Sequence, residues 1–280
     1  MPWLVFTNLY VAFCGAALTA ATYALLGLTP RVDHVAALVF CCTLVIYNLD
    51  RLVEPHPGDS THERWVASHR PVLWGFTLIN AAGSVVFAML LSQTAMVSLA
   101  IAGVLALGYC LPVVRWAGRW RRLKALPGAK LVLIALVWTY ATAGLPVLDA
   151  GATLSLSSAM ILLSRLFFIS AVALPFDLPD MQRDRRSGIS TIPTAFGVER
   201  TRQIAYALTL LSIVFSLRTP WPNASALLIS GCFVLGLLKM LRPDRGVLYF
   251  MVALDGMLLL QAGLIIASAG SSLRFGIIRS

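Results

Sequence analysis

Apolar runs of roughly 18–26 residues recur along the entire chain, and this recurrence is what most restricts its fold. Each run is long enough to cross a hydrocarbon core about 30 Å thick as a helix. They fall at about 3–28, 33–50, 72–91, 94–114, 129–148, 157–176, 201–218, 222–241 and 246–268. Lipid offers no partners to backbone N–H and C=O groups, so spans of this kind must pair them internally and become helices. The expected fold is therefore an all-α membrane protein with nine transmembrane helices in one bundle, a single polytopic domain over residues 1–280. Charged residues make up only 12% of the chain, about half of what a soluble domain carries. The run from Trp3 lacks a basic leader and a small-residue cleavage site, so it is expected to be a first span and not a removed signal.

Lys and Arg set the expected orientation. Four of the 22 lie in linkers on one side (Arg31, Arg218, Arg274 and Arg279), and Arg165 lies within the sixth run. All the others sit in the linkers after the second, fourth, sixth and eighth runs. The positive-inside rule then places the N-terminus in the cytoplasm and the C-terminus outside. The formal charge of +10 is accordingly a cytoplasmic rim facing anionic lipid, with no groove-binding or aromatic-interleaved pattern that suits nucleic acid. The five cysteines (Cys14, Cys41, Cys42, Cys110 and Cys232) lie in or beside apolar runs, without a CxxC pair, and read as small buried hydrophobes.

Two linkers carry carboxylates in pattern. The sixth run leads into Asp177-Leu-Pro-Asp180-Met-Gln-Arg-Asp184. On a helix these three positions fall within about 60° of one another. Asp50 and Glu54, one turn apart, sit at the end of the second run. Acidic residues beyond a span are often only a solvated face, and Arg183, Arg185 and Arg186 could neutralise the second group. Two such faces entering one cavity would instead gather five oxygen-ligand side chains with no His or Cys. That set suits a hard ion such as Mg²⁺ held between carboxylates and substrate phosphates. Arg51, Arg70, Arg122, Lys124 and Lys130 lie on the same side and could contact a diphosphate directly.

The extended run Asp177-x-x-Asp180-x-x-x-Asp184-Arg-x-x-Gly188-Ile-x-Thr191-x-Pro193, with Gly197 after it, resembles the second aspartate-rich stretch of the UbiA superfamily of intramembrane prenyltransferases. Helix count and linker placement extend the resemblance over the whole chain. The first stretch departs from the family pattern: Asp50 and Glu54 match its last two carboxylates, while Ile46 and Tyr47 stand where Asn and Asp are usual. Tyr109 is similar to a further family feature, without the closely following Lys. The resemblance implies a magnesium-dependent transferase that moves an isoprenyl chain from an allylic diphosphate donor to an aromatic or other lipophilic acceptor. Its cavity would open to the cytoplasm, in a bacterial cytoplasmic membrane. Asp50, Glu54, Asp177, Asp180 and Asp184 would be metal-binding and catalytic. Arg51, Arg70, Tyr109, Arg122, Lys124 and Lys130 would bind the diphosphate, and no cofactor beyond Mg²⁺ is expected.

Aromatic faces that could stabilise an allylic cation include Tyr47, Tyr109, Trp138, Tyr140, Phe167 and Phe168; plain packing is the alternative for each. Arg165 and Asp255 are costly in lipid and are expected to face the bundle, paired with each other or with one of them meeting the acceptor. Asn8 is expected to bond between helices. Two other functions stay open: a terpene cyclase ionising the same donor, or a non-catalytic binding or transport component with a degenerate first metal site.

Overall fold

The structure is a computed structural model that describes residues 2–53, 61–116, 118–126, 128–152, 155–179, 181–186, 190–242 and 247–277. Its helices are α1 (Pro2–Phe6), α2 (Leu9–Leu25), α3 (His34–Val53), α4 (Thr61–Ser68), α5 (Arg70–Ala88), α6 (Gln93–Cys110) and α7 (Ala129–Thr139). These are followed by α8 (Leu145–Asp149), α9 (Leu156–Ala173), α10 (Met181–Arg186), α11 (Ile192–Ser216), α12 (Asn223–Met240) and α13 (Val247–Ile277). Seven helical stretches are long and apolar enough to cross a membrane, α7 and α8 counting as one. The first expected span is broken near its start. Asn8 takes a left-handed φ of 63°, so α1 and α2 are separate, and α2 is 17 residues long. The seventh expected span falls largely within α11, which starts earlier, at Ile192; Gly197, with φ 80°, breaks α11 just ahead of that span.

Neighbouring helices close a ring: α2 packs on α3, α3 on α6, α6 on α7, α7 on α9, α9 on α11, α11 on α12, α12 on α13, and α13 back on α2. α5 lies outside the ring against α3. The main core, including Leu18, Phe168, Val172, Phe250 and Leu254, fills the half built by α2, α9 and α11 to α13. The outer surface is apolar: Ile79 on α5 is 72% exposed and Val104 on α6 is 70% exposed. A surface of that size and composition belongs in hydrocarbon.

One end of the bundle is fastened by short polar side chains. Asp33 caps α3 by accepting from the backbone N–H of Val35 and Ala36, and it also receives the Tyr23 hydroxyl at 2.7 Å and Arg31 at 2.9 Å. His34 lies 3.0 Å from Asp149, whose other oxygen accepts the Ser92 N–H. Between α7 and α8 the helix widens into a π turn over Tyr140–Gly144. Pro146 lacks the N–H that a helix would aim at the Thr142 carbonyl. The Thr22 hydroxyl takes that carbonyl instead, at 2.7 Å, and ties α2 to the turn.

At the opposite end the expectation of an all-α chain needs correction. Pro112–Trp116 and Arg119–Arg122 form an antiparallel hairpin, β1 and β2, turning at Gly118 with φ 77°. A 3₁₀ turn, Leu123–Ala125, follows directly. It presses close to α6, where a Cβ on Gly108 would stand 2.7 Å from the Leu123 side chain.

Candidate functional site

The close approach at Gly108 brings Lys124 over the last turn of α6 and against the end of α3. Its ammonium donates to both carboxylate oxygens of Asp50, at 2.7 and 3.0 Å. It also sits 5.4 Å from the Tyr109 ring centroid, a cation–π distance. Arg122, on the last residue of the hairpin, stands 4.0 Å from the same carboxylate. Only 16% of Lys124 and 21% of Asp50 are exposed, so the pair is largely screened from water.

A second pair forms from the other acidic stretch. Asp177 is buried and bonded to Lys130 in the first turn of α7. A cation near a helix N-terminus opposes the macrodipole, and this carboxylate offsets that penalty. The two pairs are neighbours through the backbone: the 3₁₀ turn that carries Lys124 packs on α7, whose first turn carries Lys130. The ends of α3 and α9 therefore each bring a carboxylate already engaged by a lysine to the same end of the bundle, the first of these lysines beside the Tyr109 ring.

The expected helical stripe through 177, 180 and 184 is not a continuous α-helix. Asp177 closes a 3₁₀ turn, Leu174–Asp177, and Asp184 belongs to the separate α10. Pro175 and Pro179 explain the break, since neither supplies a helical N–H. Asp184 is half-buried and engaged within the protein. Glu54 and Asp180 lie outside the described residues. Among the described residues no three His, Cys, Asp or Glu side chains form a metal-binding group.

Arg70 takes a different place from the remaining basic residues. Its guanidinium donates to the Leu52 carbonyl at 2.8 Å, satisfying the exposed end of α3 as a C-terminal cation can. Thr191 and Pro193 also have local tasks. Thr191 forms a capping box with Thr194, and Pro193 occupies the first turn of α11, where its missing N–H costs nothing. That part of the motif positions the chain and supplies no visible ligand.

The aromatic residues separate by place. Trp138 donates its indole N–H to the Tyr47 hydroxyl at 3.2 Å, and the two rings meet edge to face with centroids 6.3 Å apart. Tyr140 instead bonds Ser98 at 2.7 Å, and Phe167 stacks on Phe215 with centroids 5.4 Å apart. Phe168 is core. Asn8 does bond between helices, donating to Asn48 at 2.8 Å. The pairing considered for Arg165 and Asp255 is absent: Arg165 turns to Thr22 at 3.5 Å, and no ion pair joins it to Asp255 among the described residues. The two residues lie on different helices, α9 and α13, and charge sign alone could not reveal that they do not meet.

The sequence from residue 50 to residue 248 matches the model of the UbiA prenyltransferase family. The chain belongs to that family. Its architecture is similar to a UbiA homologue from Archaeoglobus fulgidus, with 14% identity and a TM-score of 0.63 over 95% of this chain and 100% of that one. The same archaeal protein described as bound to GPP and Mg²⁺ matches at 15% identity and a TM-score of 0.61, covering 95% and 100%. A structure described as concerning digeranylgeranylglyceryl phosphate synthase in membranes matches at 13% identity and 0.56, covering 96% and 99%. Likeness at such low identity establishes the shared fold. No curated protein matches the sequence.

Proposed function

We propose that this single-domain protein transfers an isoprenyl chain from an allylic diphosphate to a lipophilic acceptor, with Mg²⁺, in a cavity opening to the cytoplasmic side. The observation that carries the proposal is the gathering of Asp50–Lys124, beside the Tyr109 ring, and Asp177–Lys130 at one end of the bundle. Paired cations and carboxylates at the mouth of an apolar bundle are what a diphosphate head and a hydrocarbon tail require together. The UbiA homologue described as bound to GPP and Mg²⁺ supports that assignment of head and tail. We further assign nine spans with a cytoplasmic N-terminus, and a bacterial cytoplasmic membrane as location. The basic residues of the hairpin and its neighbours support the orientation.

The donor set fits magnesium. It is oxygen-only, and two of its described carboxylates, Asp50 and Asp177, are each neutralised by an ammonium group that a bound cation could replace. Asp50, Asp177 and Asp184 would hold the ion, together with Glu54 and Asp180 from outside the described residues. When bound, Mg²⁺ would neutralise charge on the departing diphosphate. Lys124, Lys130, Arg51 and Arg122 share that task as fixed donors aimed at the same charge. Released from their carboxylates, the two lysines become free to hold diphosphate oxygens. Tyr47, Trp138 and Tyr109 present ring faces to the allylic carbon, and the closed helix ring excludes the water that would quench it.

Purified protein incubated with Mg²⁺ and isoprenyl diphosphates of several lengths should release diphosphate. Asp177→Asn, Asp180→Asn and Asp184→Asn should abolish the release, as should chelation by EDTA. A folded protein that releases none from any donor would turn the assignment toward a binding or transport role.

A further inference from the structure

The hairpin β1–β2 carries side chains that the proposed reaction leaves unused. α6 is 18 residues long, about 27 Å at 1.5 Å per residue, close to the thickness of a hydrocarbon core. Val97, Ile101 and Val104 on it are exposed and suit acyl chains. Pro112 follows two residues after α6 ends, so the hairpin begins where the chain leaves hydrocarbon, at the depth of lipid headgroups. Val113, Trp116 and Trp120 are exposed there, and tryptophan favours that depth. Arg115, Arg119 and Arg121 are exposed as well. The register sets Arg115 opposite Trp120 and Trp116 opposite Arg119. Directly opposed residues share a face, so each face of the ribbon carries an indole and a guanidinium. Residues 112–122 contain no Asp or Glu, and none of the three arginines makes an ion pair or hydrogen bond among the described residues. Cations this close repel one another, and a two-stranded ribbon is marginal on its own. An anion bridging the arginines would relieve that repulsion.

We infer that the hairpin is a docking surface for the headgroups of anionic phospholipids, an interaction separate from the transfer reaction. Guanidinium forks match phosphate oxygens in pairs, and the indoles lie against the upper acyl chains while the arginines hold the phosphate. A zwitterionic headgroup also has a phosphate, but its own cation would approach the same three arginines, so net negative charge decides the preference. A soluble acidic partner would meet the arginines and leave Val113, Trp116 and Trp120 without apolar cover; a lipid serves both sets of side chains. The hairpin runs directly into Arg122 and Lys124, which engage Asp50, so the docked lipid borders the candidate site.

The test uses full-length protein in phosphatidylcholine nanodiscs into which brominated phosphatidylglycerol or brominated phosphatidylcholine is mixed, with tryptophan quenching as the readout. The quenching lost when Trp116→Phe and Trp120→Phe are combined is the hairpin's share. An arginine near an anionic surface contributes about fivefold in affinity, so the hairpin should select phosphatidylglycerol over phosphatidylcholine by about tenfold or more. Arg115→Gln, Arg119→Gln and Arg121→Gln together should reduce the selection to within about twofold of none. Arg115→Lys, Arg119→Lys and Arg121→Lys together should retain part of it, since charge stays and the fork is lost. If the triple glutamine variant does not fold, Arg115→Gln and Arg119→Gln should each lower the selection by about fivefold. Equal quenching by the two lipids in wild type, or selection that survives loss of the arginines, would overturn the assignment. So would loss of selection on adding millimolar inorganic diphosphate at constant ionic strength, which would give the arginines to a soluble phosphate compound.

Discussion

The Asp50–Lys124 contact can be tested by a double-mutant cycle with Asp50→Asn and Lys124→Met. Lys124 makes two charge-assisted hydrogen bonds to Asp50, at 2.7 and 3.0 Å, and bonds to charged groups contribute about 1.5–3 kcal/mol each when buried. Two features reduce that figure. Asp50 remains 21% exposed, and Arg122 at 4.0 Å stays behind to neutralise it. Each single variant should therefore lose about 2 kcal/mol of stability, and the double variant should lose little more than either, a coupling of about 1.5–2.5 kcal/mol. Unfolding titrations in mixed micelles provide the measurement. Donor binding supplies a second reading of the same lysine. If Lys124 passes from Asp50 to the diphosphate, Lys124→Met should weaken geranyl diphosphate binding about 10–100-fold, or roughly 1.4–2.7 kcal/mol. Additivity of the two substitutions within about 0.5 kcal/mol would refute the ion pair and the lysine's transfer with it.

Three further substitutions probe the frame. Thr22→Val keeps the shape and removes the hydroxyl that occupies the Thr142 carbonyl at 2.7 Å; the orphaned carbonyl should cost about 1–3 kcal/mol in the same unfolding titration. Arg165 is 2% exposed, and one of its guanidinium nitrogens has no partner among the described residues, so Arg165→Met should be neutral or stabilising by up to about 2 kcal/mol, seen as an unchanged or raised melting temperature. A Cβ on Gly231 would stand 2.6 Å from Ile213; Gly231→Ala should destabilise by about 1–3 kcal/mol, and adding Ile213→Ala should recover part of the loss.

The deepest difference between sequence and structure lies in how the polar residues are shared out. Thr191, Pro193 and Gly197 stand in the family-like run as if they belonged to the ion site, yet the first two cap α11 and the third breaks it. Arg70 has the charge of a phosphate ligand and sits on the end of α3. In the sequence Asp255 is only a charge in an apolar run, and nothing in the spacing of α13 reveals that it is buried. The hairpin has a signal of its own, with Val113, Val114 and Trp116 before Gly118 and Trp120 after it, but its first half continues an apolar span and its arginines read as a charged rim; it forms where Gly118 permits the turn and α6 supplies a floor.

By itself the sequence determined that this chain is a helical membrane protein of the UbiA prenyltransferase family with its acidic and basic residues at shared helix ends. Length and apolarity suffice for the helices, since lipid leaves the backbone no alternative, and the run from Asp177 to Gly197 carries the family resemblance. Only the tertiary structure decided which charges meet: Lys124 with Asp50, Lys130 with Asp177, Arg165 with Thr22, and Asp255 with no cation among the described residues. Pairing depends on the order in which α2, α3, α6, α7, α9 and α13 close the ring, and helical periodicity carries no information about neighbours on other helices.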